Sequence, residues 1–209
     1  KDAGDLAPHI VPTDTLQQLV AAIRPPRAII LMVPAGTVVD DQIAALRSLL
    51  GPEDVIIDAG NAEFHDTERR AADAARQGVP FIGMGVSGGA KGALEGPSMM
   101  PGGTRSAYEA IEPLVRKMAA QVDDGPCVTY IGPGGAGHFV KTVHNGIEYG
   151  IEQILAEAYD LMKRVGGLNG DQMADVLAGW NDTEELASFL VEITEVCLRT
   201  KDPETGTDL

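Results

Sequence analysis

Three short apolar runs stand out in the first 90 residues: Ala28-Ile29-Ile30-Leu31-Met32-Val33, Val55-Ile56-Ile57-Asp58 and Pro80-Phe81-Ile82-Gly83-Met84. Each is nearly continuous in apolar residues rather than alternating, which is the pattern of a strand covered on both faces. Chain breakers close the first two, Pro34-Ala35-Gly36 and Ala59-Gly60-Asn61. Between the runs, the spacing of apolar positions predicts a helix over residues 38–50 and a more polar one over 66–76. A further helix over 15–23 precedes the first run, and 128–131 reads as a late edge strand. Strands alternating with helices give a parallel sheet with helices on both faces, the Rossmann-like α/β class. Ligands then gather at the carboxyl ends of the strands.

The pattern changes near residue 136. Phe139, Val140, Val143, Ile147, Ile151, Ile154, Leu155, Ala158, Leu161 and Met162 recur at helical spacing with no strand signal. They predict one long helix over 137–165, stopped by Gly166-Gly167. Helices over 172–178 and 184–199 follow. The expected organisation is therefore a sheet domain over 1–135 and the first part of an all-helical domain over 136–209.

A dinucleotide-binding sheet ordinarily carries G-x-G-x-x-G after its first strand. Nothing of that form precedes Ile29, and Gly83-Met84-Gly85 leads into Val86-Ser87-Gly88-Gly89 instead. Either the chain does not bind a dinucleotide, or the fingerprint and first strands of the sheet lie upstream of Lys1. The second reading is the expectation.

Composition narrows the partners. Of 209 residues 44% are hydrophobic and 22% charged, ordinary for a soluble globular protein, and no apolar run is long enough to cross a bilayer. A formal net charge of -15 argues against nucleic acid or an anionic membrane as a bulk partner. An anionic substrate must then be met by local donors, such as backbone N–H groups at glycine turns. Lys1-Asp2-Ala3-Gly4-Asp5 does not resemble a secretory signal, and Cys127 and Cys197 are spaced for neither a metal nor a disulfide framework. A cytoplasmic protein with reduced thiols is expected. His65 and His138 stand without further ligands in sequence, so no metal site is expected.

The richest chemistry lies in Gly137-His138-Phe139-Val140-Lys141-Thr142-Val143-His144-Asn145-Gly146-Ile147-Glu148-Tyr149-Gly150. On a helix, Lys141 and Glu148 share nearly one face, about 10 Å apart along the axis. That is too far for an ion pair but suits two ends of a small substrate. Asn145 lies between them and His144 flanks it. A desolvated lysine serves as a base, and a glutamate can return a proton at a second carbon. The alternative is a solvated face, with Tyr149 and Phe139 as core. The concentration of polar groups in two turns of a mostly apolar helix favours the functional reading.

Ser87-Gly88-Gly89 is a second candidate, since two glycines let a ligand approach the backbone and Ser87 adds a hydroxyl. Asn61 ends the second strand and Val33-Pro34-Ala35 the first, where such a sheet presents residues to ligands. Gly92, Gly96-Pro97-Ser98 and Pro101-Gly102-Gly103 read as loop and turn chemistry.

Taken together, Asp58-Ala59-Gly60-Asn61, Val86-Ser87-Gly88-Gly89, Gly96-Pro97-Ser98-Met99-Met100-Pro101-Gly102-Gly103 and the segment from Gly137 to Tyr149 resemble the 6-phosphogluconate dehydrogenase family. The resemblance runs from about Arg24 to Glu192. It implies oxidation of 6-phosphogluconate at C3 with NADP, NAD remaining open, then loss of CO2 to give ribulose 5-phosphate. It implies Lys141 as the general base and Glu148 as the acid that protonates C1 of the enediol. Asn61, Ser87, Gly88, Gly89, His144, Asn145 and Tyr149 match substrate-binding positions. Val33, Pro34, Ala35 and again Asn61 match cofactor contacts. A homodimer or homotetramer is implied, the helical part serving catalysis and dimerisation. The chain departs from the family at Pro34, usually lysine, at Ala90-Lys91, usually an acidic pair, and at Asp58-Ala59-Gly60, usually Asp-Gly-Gly. The family's cofactor fingerprint, a further substrate lysine and arginine, and a tail reaching a neighbouring subunit would all lie outside Lys1 to Leu209. Little activity is therefore expected of this chain alone.

Two other readings compete. A β-hydroxyacid dehydrogenase, such as one acting on 3-hydroxyisobutyrate, also pairs Ser-Gly-Gly with a helical lysine, but is not expected to carry His144-Asn145-Gly146-Ile147-Glu148-Tyr149. A non-catalytic oligomerisation fragment has no need of both Lys141 and Glu148.

Overall fold

A computed structural model describes residues 4–207. After a short 3-10 segment at Gly4–His9, the elements run α1 (Leu16–Ala22), β1 (Ala28–Leu31), α2 (Thr37–Arg47), β2 (Val55–Asp58) and α3 (Phe64–Gln77). Then come β3 (Phe81–Ser87), α4 (Gly89–Glu95), β4 (Ser98–Gly103), α5 (Arg105–Met118) and a small hairpin, β5 (Gln121–Val122) with β6 (Gly125–Pro126). The helices α6 (Ala136–Arg164), α7 (Gly170–Asn181) and α8 (Phe189–Arg199) complete the described chain. It divides into two compact units, Lys1–Val143 and His144–Leu209.

The sheet of the first unit has the order β1-β2-β3-β4, with the first three strands parallel and β4 antiparallel to β3. β2 is buried along its whole length, and its side chains alternate between two layers. Ile56 joins Val20, Ile29, Val39, Ile43 and Leu46 in one layer; Val55 and Ile57 join Tyr108, Ile111 and Val115 in the other. Each such aliphatic side chain contributes roughly 1.5–3 kcal/mol by leaving water. The helix ends are locally determined. Thr15, Glu63 and Thr104 cap α1, α3 and α5 by accepting backbone N–H bonds, and Gly78, at φ 79°, ends α3 in the left-handed conformation.

Several sequence expectations shift. β1 ends at Leu31, and Met32 is 70% exposed, so the strand is shorter than its apolar run. β3 continues through Ser87, which pairs with Ser98 of β4. Ser98 and Pro101-Gly102-Gly103, read as turn residues, lie with Met99 and Met100 in that edge strand, and α5 follows where no element was expected. The glycines of β4 are there for close packing: a Cβ on Gly102 would stand 2.5 Å from the nitrogen of Gly137. The edge strand expected at 128–131 is reduced to single bridges, Met99 with Val128 and Gly102 with Gly132. Pro101, between those bridges, has no N–H to continue the ladder.

In the second unit α7 and α8 pack through Met173, Ala174, Leu177 and Val191. An Asn169–Gln172 capping box starts α7. Residues 184–188, expected as helix, lie outside it, and Ser188 caps α8 at its later start. Among the described residues no helix is long and apolar enough to cross a membrane.

Candidate active site

In the first unit the turns after β1 and β2 meet. Pro34 and Ala35 are exposed and Val33 is half-buried. A Cβ on Gly60 would lie 3.1 Å from the carbonyl oxygen of Val33, so the two turns pack backbone to backbone. Gly60 N–H donates to Asp58 Oδ1 at 3.1 Å, and Ala59 N–H to Leu31 O at 3.0 Å. These bonds fix the turn that leads to Asn61, which is exposed.

Ser87 ends β3 and is half-buried, with Gly88 and Gly89 exposed beyond it. Gly88 (φ 139°) and Gly89 (φ 56°) both adopt backbone conformations that side chains resist. The double glycine thus has a conformational cause, and the same conformation leaves its backbone open.

Lys141 is only 7% exposed. Its burial comes from glycines beneath it: a Cβ on Gly85 would stand 2.5 Å from Lys141 Cβ and 3.0 Å from Gly137 O. Gly137 itself lies against the backbone of Met100, Gly83 and Gly102. The first turns of α6 therefore rest directly on β3 and β4, and Lys141 is drawn onto the sheet within the first unit.

His144, Asn145, Glu148 and Tyr149 belong to the second unit. His144 Nδ1 lies 3.6 Å from Glu148 Oε2, one turn along α6, and 3.4 Å from Asn145 Oδ1. Glu148 follows Lys141 by seven residues along α6. Tyr149 is 71% exposed, so it is not core; Phe139 is half exposed and sets its ring edge-on to Phe64 at 5.1 Å.

Sequence reasoning missed a buried polar group of residues in the first unit. Asp58, Thr67, Arg70 and His138 are all buried. Arg70 Nε and Nη2 donate to Asp40 at 3.0 and 2.9 Å, and the guanidinium holds the Asp40 carboxyl well below the usual carboxylate range. His138, read as a lone histidine, bonds Thr67 Oγ1 at 2.7 Å. Burial pushes its imidazole below the ordinary histidine pKa, against the opposing pull of Asp58. The available signal was Asp58, an acid closing an apolar strand, with Thr67 and Arg70 three apart on the sheet-facing side of a helix. Among the described residues no three His, Cys, Asp or Glu side chains gather as a metal site, and Cys127 and Cys197 are free thiols.

Residues 3–132 match the model of the NAD binding domain of 6-phosphogluconate dehydrogenase, and residues 137–209 match that of the 6-phosphogluconate dehydrogenase C-terminal domain. The chain belongs to the 6-phosphogluconate dehydrogenase family. It is 59% identical over 202 residues to "6-phosphogluconate dehydrogenase, decarboxylating" of Synechococcus elongatus, covering 96% of this chain and 43% of that relative. The structure resembles Plasmodium falciparum 6-phosphogluconate dehydrogenase, described with its cofactor NADP+ and its substrate 6-phosphogluconate, at TM-score 0.85 and 41% identity. That likeness covers 93% of this chain and 42% of the other. A 3-hydroxyisobutyrate dehydrogenase of Mycobacterium tuberculosis is more distant, at TM-score 0.61 and 27% identity over 73% of this chain and 50% of that one. Of the two dehydrogenase families weighed, the matches decide for the 6-phosphogluconate family. The chain spans less than half the length of these two 6-phosphogluconate dehydrogenases.

Proposed function

We propose that this chain carries the sheet and lysine helix of an enzyme converting 6-phosphogluconate to ribulose 5-phosphate and CO2 with reduction of NADP. The observation that carries this reading is Lys141, buried against Gly85 on the strand that ends in Ser87, with Glu148 two turns further along the same helix. The turn Val33-Pro34-Ala35 fits a nicotinamide cofactor: it is open at the carboxyl end of β1 and held against Gly60. When bound, NADP supplies the acceptor for the hydride leaving C3.

Asn61, Ser87, Gly88 and Gly89 bind the sugar acid in this reading, and their backbone N–H groups suit an anion despite the acidic composition. Lys141 takes the proton of the C3 hydroxyl as that carbon is oxidised. The resulting lysine ammonium then polarises the C3 ketone, which stabilises the charge developing as the C1 carboxylate leaves as CO2. Glu148, with His144 beside it, protonates the enediol at the carbon that lost CO2, which is C2 of the substrate and becomes C1 of ribulose 5-phosphate. Asn145 and Tyr149 complete the substrate contacts. The protein acts as a cytoplasmic homodimer or homotetramer; sedimentation of the full-length gene product reads its state.

Substrate competition tests the assignment. The full-length gene product should turn over 6-phosphogluconate with NADP at least about a hundredfold faster than 3-hydroxyisobutyrate, because a site built to hydrogen-bond a phosphate and several hydroxyls rejects an acid lacking them. Preference for the smaller acid would remove the proposal.

A further inference from the structure

The buried polar groups of the first unit converge on α3. Arg70 joins the two strand-end turns. Its Nη2 donates to Gly36 O at 2.9 Å, just beyond Val33-Pro34-Ala35, and its Nη1 stands 3.7 Å from Asp58 Oδ2. Asp58 in turn accepts from Gly60, the residue before Asn61. Asp40 on α2 grips the same guanidinium through two bonds. α3 is thereby fixed to both turns by one side chain that is 2% exposed.

Thr67, one turn before Arg70, reaches a third element. Its hydroxyl donates to Glu63 O at 3.2 Å and shares a hydrogen bond with His138 Nδ1 at 2.7 Å. His138 is 1% exposed and lies three residues before Lys141 on α6. Its own carbonyl accepts from Thr142 Oγ1 at 2.9 Å. Strand β3 makes room for the crossing: a Cβ on Gly83 would collide with the Thr67 methyl and lie 3.0 Å from His138 Nδ1.

A helix whose first turns rest largely on glycines has few interlocking side chains, here chiefly Phe139 against Phe64, to set its rotation and slide. A directional bond in a buried setting supplies that constraint, since its geometry is demanding and its loss leaves polar atoms unpaired. We propose that the Thr67–His138 hydrogen bond is the positioning contact that sets Lys141 relative to the two turns tied by Arg70. The proposal deepens the reading of Lys141 as the base and rests on it. Thr67 and His138 are positioning residues here, acting only through Lys141.

The test compares Thr67→Val, which keeps the shape and removes the hydroxyl, with Thr67→Ser, which keeps the hydroxyl, in the full-length gene product. The rate at which dilute acetic anhydride acylates each lysine is followed by peptide mass spectrometry. Lys141 should label roughly fivefold faster in Thr67→Val than in wild type or Thr67→Ser, with Lys117 unchanged. In the same protein kcat on 6-phosphogluconate should fall about 10- to 100-fold with KM nearly unchanged, and Thr67→Ser should restore it. A folded Thr67→Val with wild-type labelling of Lys141 overturns the proposal, as does faster labelling with unchanged kcat. A lowered melting temperature with both rates intact also overturns it, because the bond then serves stability alone. If Thr67→Val does not fold, Thr67→Ala is read by the same criteria. Acylation needs no turnover, so a wild-type protein inactive on 6-phosphogluconate would remove the functional reading while the labelling comparison still decides whether Thr67 positions Lys141.

Discussion

A side chain on Gly85 would have to share space with Lys141 Cβ, 2.5 Å away. Gly85→Ala therefore forces α6 off the sheet or bends β3, and overpacking of this kind costs typically 1–3 kcal/mol. Urea unfolding should show that loss, together with a fall in kcat out of proportion to it, because the displaced residue is the proposed base. His138 makes a second prediction at this scale. Its folded pKa lies below the ordinary 6.5, chiefly through burial, with Asp58 and Arg70 as the charged groups facing it. A group whose folded pKa is depressed contributes full stability above its unfolded pKa, so stability should decline as pH falls below about 6.5, by up to about 1.4 kcal/mol per pH unit. Unfolding midpoints between pH 7.5 and 5 should show this slope, and His138→Gln should flatten it. Lys141, Glu148 and Asn61 were legible as residues of interest from their type and place. His138 was legible only as a histidine, because what gives it a role is Thr67, 71 positions earlier.

At the scale of elements, α3 carries more than its amphipathic pattern shows. Arg70 replaced by Met leaves Asp58 buried without its partner, and such a loss costs roughly 3–5 kcal/mol. Thermal unfolding should place Arg70→Met far below Arg69→Met, whose guanidinium is half exposed and whose removal should cost less than about 1 kcal/mol. Removal of the Thr104 cap should fall between the two, at about 1 kcal/mol for Thr104→Ala. β2 was readable because burial on both faces demands an uninterrupted apolar run. β4 was not, since Pro101, Gly102 and Gly103 are the residues of turns. Their use in an edge strand follows from Gly137 lying against them, a constraint set by another element. α5 went unread even though its apolar Ala107, Tyr108, Ile111 and Val115 fall on one face. β1 was read too long because Met32 is apolar yet lies past the last sheet pairing, at Leu31 with Asp58.

For the whole molecule, the alternation of buried strands and helices followed by a strandless helical stretch was enough to give the Rossmann-like class and its helical continuation. Periodicity carries that information over many residues, so single misread turns do not disturb it. The candidate site was drawn in outline from the order and spacing of the Asp58 to Asn61, Ser87 to Gly89 and Lys141 to Tyr149 segments, and its residues remain a proposal. Its support was not legible, because close glycine packing and buried ion pairs have no periodic signature. The central claim is that Lys141 serves both the oxidation at C3 and the loss of CO2. The most direct test follows NADPH formation and CO2 release together in the full-length gene product and its Lys141→Met variant with 6-phosphogluconate. The wild type should give equal amounts of NADPH and CO2, and the variant should slow both by about a hundredfold or more, the range expected for loss of a general base. NADPH without CO2 in the wild type, or a Lys141→Met variant that keeps both rates, would contradict it.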